Sequence, residues 1–114
     1  MHELSIALSI IEAAEEEAAL RQVRVRAIHL KLGRLSGVVK DALLASYDLA
    51  AAGTSLEGSR LVIEEVPVVG YCSKCNARCG VNPPEWFWCP SCRSPISEIL
   101  EGKELEVHAL EIAE

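Results

Sequence analysis

At 114 residues the chain has room for one compact unit, or one unit with a small insertion, and folding at this size removes about two-thirds of the unfolded surface from water. Half of its residues are hydrophobic and the formal net charge is -6, which excludes a disordered chain and argues against nucleic acid as a partner, because an acidic surface lacks the counterion-release term. No apolar run reaches the length of a membrane span, and no basic stretch followed by a greasy core opens the chain. The expectation is a cytoplasmic protein without membrane insertion, in a compartment where thiols stay reduced.

In chain order, residues 4–20 place Leu4, Ala7, Leu8, Ile11, Ala14 and Ala18 at helical spacing, with Glu12, Glu15 and Glu16 on other faces. Residues 22–32 are β-branched and alternating. Val23 and Val25 set one phase and Ile28, Leu30 and Leu32 the other, which predicts a strand with a bulge or with both faces covered. Gly33 and Gly37 mark a turn. A second helix is expected over 38–52, burying Val39, Leu43, Leu44 and Tyr47, with Gly53 where a C-terminal capping glycine belongs. Residues 59–66 and 105–112 read as two further strands. The three strands are expected to share one sheet covered by the two helices.

Between the second and third of these strands the composition changes sharply. Residues 67–102 hold all five cysteines, all five prolines, both tryptophans and the only phenylalanine. The expected organisation is therefore an α+β domain of residues 1–66 plus 103–114, two helices packed on a three-stranded sheet, with residues 67–102 inserted as a zinc-ribbon-like subdomain built on four cysteines. Trp86, Phe87 and Trp88 are expected to supply most of the insert's apolar burial; an aromatic recognition face is the alternative.

Cys72 and Cys75 form one Cys-x-x-Cys pair, and Cys89 and Cys92 form a second after thirteen intervening residues. Each pair makes a tight turn that aims two sulfurs at one point. Two such turns supply the four thiolates that a structural zinc takes, leaving no open position for water. Pairs of redox dithiols are the competing reading, but a redox pair sits at a helix start in a thioredoxin-like unit. Cys79 is a surplus thiol, read as a small half-buried hydrophobe.

The chain opens Met1-His2-Glu3. A terminal amine, an imidazole and the amide nitrogen between them close fused chelate rings around one cation, and an all-nitrogen square-planar set suits Ni²⁺ or Cu²⁺. Against this stands the plain reading of a histidine on a frayed terminus. His29 and His108 lie mid-strand and read as structural or surface histidines. Asp41 reads as a first-turn acid favoured by the helix dipole, with an approach to the N-terminal metal as the alternative.

Met1-His2-Glu3-Leu4-Ser5 opens the first helix, and Leu32-Gly33-Arg34-Leu35-Ser36-Gly37-Val38 precedes the second. Gly53-Thr54 is followed by Glu57-Gly58 and Leu61-Val62-Ile63-Glu64. With the double Cys-x-x-Cys and the closing Gly102-Lys103-Glu104-Leu105, the chain resembles the HypA/HybF family of hydrogenase nickel-insertion metallochaperones along essentially its whole length. The resemblance implies a nickel-binding domain and a zinc domain. It implies a carrier of Ni²⁺ that works with the hydrogenase-maturation GTPase to load the [NiFe]-hydrogenase large subunit, in some organisms also serving urease through its accessory proteins. His2 is then the nickel ligand, Met1 adds its amine and Glu3 supports them, while Cys72, Cys75, Cys89 and Cys92 hold zinc. No nucleophile–base pair or open metal site points to an enzyme. The alternative is a zinc-ribbon protein-interaction or nucleic-acid module without a nickel role, for which Lys74, Arg78 and Arg93 make the insert locally basic.

Overall fold

The computed structural model describes residues 2–82 and 86–113. Met1, one of the expected nickel donors, lies outside the described residues. Helix α1 (Glu3–Arg21) is followed by strand β1 (Arg24–Gly33), helix α2 (Lys40–Ala51), strands β2 (Arg60–Val66), β3 (Val69–Cys72), β4 (Ala77–Gly80) and β5 (Glu98–Glu101), and strand β6 (Leu105–Ala113). The backbone divides into two compact units, residues 1–31, 37–64 and 106–114 in one, and 32–36 with 65–105 in the other.

In the first unit α1 packs on α2. Alanine-rich sequence favours the helix, the Glu17–Arg21 pair at 2.7 Å supports its last turn, and Gln22 ends it in the left-handed region, its N–H directed to the carbonyls of Ala18 and Ala19. The inward face is Ala7, Ile10, Ile11 and Ala14, whereas Leu4 and Leu8 are 43% and 50% exposed. The expected face is thus corrected by part of a turn. Positions 4, 6, 7, 8, 10 and 11 are all apolar, so helical spacing admits two adjacent stripes, and packing against α2 selects one.

Helix α2 buries Leu43, Tyr47, Ala50 and Ala51, with Leu44 partly buried against them. Val39, expected in the core, is instead the N-cap and 61% exposed, because a residue before the first helical turn lies off the helix face. Beyond the helix, Ala52 at φ −59, ψ 129 and Gly53 at φ 78 form a type II turn closed by Thr54 N–H to Ala51 O at 3.0 Å. The Tyr47 hydroxyl donates to Ser59 Oγ, which itself donates to the Leu56 carbonyl, so the phenol enters the core with its polar end satisfied.

The strands read from the sequence form one sheet in the order β2-β1-β6. Ile28 and Leu30 of β1 join the core cluster beneath the helices, so His29 between them points to the other face. Consecutive burial of Ala27 and Ile28, both 0% exposed, marks the change of phase that the alternation foreshadows.

The second unit contains a sheet that the sequence pattern does not announce, ordered β4-β3-β5. Strands β3 and β4 pair antiparallel from Val69↔Gly80 to Cys72↔Ala77, and β5 pairs antiparallel on the other side, with a register shift between Val69 and Gly70. Four-residue strands are too short to carry a period of two. Among the described residues, the buried ones here are Leu32, Gly33, Val66, Val68, Gly70, Cys72, Val81, Cys89 and Gly102. Phe87 and Trp88 are 47% and 42% exposed and Trp86 is partly buried, so the aromatic run buries only part of its surface, and the fully buried side chains of this unit are valines, Leu32 and two cysteines. Gly33 admits no side chain, since a Cβ there would fall on the Gly102 carbonyl.

Candidate functional site

The four paired cysteines converge. Among the described residues the sulfurs of Cys72, Cys75, Cys89 and Cys92 lie within 4.8 Å of one another. Cys72 and Cys92 are 3.5 Å apart and Cys75 and Cys89 3.9 Å. Sulfurs at about 2.3 Å from one tetrahedral centre stand about 3.8 Å from each other, so the spacing is that of a closed four-thiolate site.

Both pairs reach this point by the same backbone device. Cys72 pairs with Ala77, so Ser73 to Asn76 form the turn of the β3–β4 hairpin; Asn76 takes φ 55, and the Cys75 N–H donates to Cys72 Sγ at 3.3 Å. In the second pair the Cys89 N–H donates to Ser94 O at 2.8 Å and the Arg93 N–H to Cys89 O at 2.7 Å. Trp88 bridges Pro95, and Arg93 takes φ 61. In each turn the residue after the second cysteine is left-handed, which folds the second sulfur back toward the first.

The thiols are driven apart in acidity. The Ser94 hydroxyl and N–H donate to Cys92 and, with Cys75, lower its pKa to about 6. The N–H groups of Cys92 and Ser91 lower that of Cys89. Cys75, hydrogen-bonded to the sulfurs of Cys92, Cys89 and Cys72, is pushed up to about 12. Four thiolates this close need a cation between them, and the donor set fits zinc. Zinc held there supplies a cross-link between the two turns. Ser94 is the residue that the spacing argument missed; a hydroxyl two positions past the second cysteine is the signal that points to it. Cys79 lies half-buried in β4 opposite Gly70, and burial raises its thiol.

His2 is the N-cap of α1, exposed and extended at φ −86, ψ 92; its backbone carbonyl accepts from Ile6 N–H at 3.2 Å, and its ring makes no capping hydrogen bond. Glu3 opens the helix, and its carboxylate accepts from the Val39 N–H at 3.3 Å. The starts of α1 and α2 are thereby brought together, which nothing in the linear sequence signals. Its own N–H and that of Val39 hold the Glu3 carboxyl below the ordinary value. Asp41 stands in the first turn of α2, as expected.

Residues 1–112 match the family described as hydrogenase/urease nickel incorporation, metallochaperone, hypA. The chain belongs to the HypA family. A hydrogenase maturation factor HypA from Roseiflexus sp. (strain RS-1) is 53% identical over 112 residues, covering 97% of this chain and 91% of that protein. One from Chloroflexus aurantiacus (strain ATCC 29366 / DSM 635 / J-10-fl) is 51% identical, covering 97% and 98%. In fold, the chain is similar to the solution structure of the Ni metallochaperone HypA from Helicobacter pylori, with TM-score 0.64, 22% identity and coverage of 98% and 97%. A second HypA solution structure superposes with TM-score 0.71 at 22% identity, covering 99% and 97%. The family resemblance carried by the opening pentapeptide, the glycine-marked turns and the cysteine pairs is thus borne out: the family is one of hydrogenase/urease nickel-incorporation metallochaperones. Among the described residues no helix is long and apolar enough to cross a membrane.

Proposed function

We propose that this HypA-family protein takes up Ni(II) at Met1-His2-Glu3 and passes it, with the hydrogenase-maturation GTPase, to the [NiFe]-hydrogenase large subunit in the cytoplasm. It acts as a carrier and not as an enzyme. His2 supplies the imidazole, Met1 its amine, and Glu3 steadies the segment through the Val39 N–H. Zinc at Cys72, Cys75, Cys89 and Cys92 is structural. The observation that carries this reading is the exposed, extended His2 at the very start of α1, next to a carboxylate tied to the second helix. A carrier must release its cargo. A site at a chain end opens without disturbing the core, and micromolar affinity, about 8 kcal/mol, suits a cargo that a partner takes over.

Calorimetry of Ni²⁺ into zinc-loaded, untagged protein tests it. His2→Ala is expected to abolish the tight nickel equivalent and hydrogenase maturation, with zinc content and fold unchanged. A Gly-Ser extension before Met1 turns the amine into an amide and weakens binding strongly. Because the ligating nitrogens must be deprotonated to bind, protons compete with the metal and affinity falls as the solution is acidified. Unaltered tight binding in His2→Ala would remove the N-terminal site and leave a zinc-stabilised interaction module as the better reading.

A further inference from the structure

His29 and His108 are seventy-nine positions apart in the chain, yet β1 and β6 are neighbours in the sheet. Their rings meet edge to face with centroids 6.0 Å apart. Each histidine faces a carboxylate. His29 Nε2 lies 2.6 Å from Glu111 Oε2, and His108 Nε2 lies 4.0 Å from Glu64 Oε1 on β2. All three strands of the sheet therefore contribute to one group of two imidazoles and two carboxylates. It lies within the first compact unit.

We propose that this group is a second site for a divalent cation of borderline softness such as Zn²⁺ or Ni²⁺, with His29 and His108 as ligands and Glu111 and Glu64 as further ligands or as acceptors that orient the rings. Two imidazoles bound to one ion at about 2.1 Å stand with their centroids roughly 5 Å apart, so side-chain rotation closing the pair by about 1 Å makes the chelate. Both rings are partly exposed, with side-chain accessibility of 29% for His29 and 36% for His108, which leaves a path for the ion. The carboxylate against His29 is the arrangement that fixes the tautomer of a metal-binding imidazole. Arg60 lies 3.8 Å from Glu111 and opposes a cation there, but its side chain is 69% exposed, and a surface pair of this kind yields readily. Mid-sheet histidines are more often plain surface residues. The cross-strand pairing of two, each against an acid, distinguishes these.

Zinc-loaded wild type, His2→Ala, the double variant His29→Gln/His108→Gln, and the triple variant are titrated calorimetrically with NiSO4 and with ZnSO4. Glutamine keeps size and polarity at both sheet positions and removes the imidazoles. The expected result is one added equivalent in His2→Ala, at lower affinity than the wild type's first, absent from the triple variant, while the double variant keeps the tight nickel equivalent unchanged. Titration of His2→Ala with Zn²⁺ should shift the imidazole proton resonances of both sheet histidines together. No added equivalent in His2→Ala, or one that survives in the triple variant, overturns the sheet site. A tight nickel equivalent that persists in His2→Ala and disappears in the double variant supports the sheet site and overturns the N-terminal one.

Discussion

At the scale of single residues, the two cysteine turns share a backbone but not its strain. Asn76 and Arg93 occupy the same left-handed place, at φ 55 and φ 61. Asparagine visits this region routinely, whereas for an ordinary side chain it costs roughly 1 kcal/mol or more. Arg93→Gly is therefore expected to raise the unfolding free energy of the zinc-loaded protein by about 1 kcal/mol, and Asn76→Gly by less; denaturant titration reads both. Loss of stability in Arg93→Gly would show that its side chain makes contacts that outweigh the strain. Glu3 carries a pH signature. Its carboxyl is lowered by its own N–H and that of Val39, so the ionised form stabilises the fold above its unfolded pKa near 4.3 and that contribution is lost as pH falls through the lower, folded value. Glu3→Gln should leave an acid-unfolding profile with less slope in that window, and a profile identical to wild type there would mean that the link to Val39 contributes nothing.

At the scale of elements, the inward residues of α1 and α2 join one core cluster, in which Leu43 is 0% exposed. Leu43→Ala is expected to cost about 2–5 kcal/mol, transfer and cavity terms together. Leu8→Ala, on the exposed side of α1, should stay within about 0.5 kcal/mol. Equal losses from the two would mean that α1 packs with the other stripe. Both helices and the three long strands were legible because each is long enough to repeat its period. The face of α1 was not, because apolar residues fall on two neighbouring stripes. Strands β3, β4 and β5 were not, because pairing between segments of four residues is decided by their partners rather than by their own pattern.

At the scale of the whole molecule, the two compact units are held by different forces. The first has a contiguous apolar core of helix and sheet residues, while the second has few buried aliphatics and four converging thiols. Cys89→Ala, or removal of zinc by a chelator, should therefore disorder residues 65–105 while the helical signal of α1 and α2 persists. Loss of amide protection in the second unit without loss of far-ultraviolet helicity checks this, and one equivalent of tightly bound zinc retained in Cys89→Ala would contradict the four-sulfur site. That the paired cysteines form two like turns able to share one centre was legible in the sequence alone, because a two-residue spacer is a local device that works in any surroundings that bring two such turns together. The N-terminal tripeptide is local in the same sense, since its proposed donors are adjacent in the chain. What only the tertiary structure decided are the meetings between distant segments and across turns: Ser94 behind Cys92, Glu3 at the head of α2, and His29 against His108 with an acid beside each. Such contacts depend on which strands become neighbours, and that choice is made by burying one face of each element, a property of the whole chain that no short window of it contains.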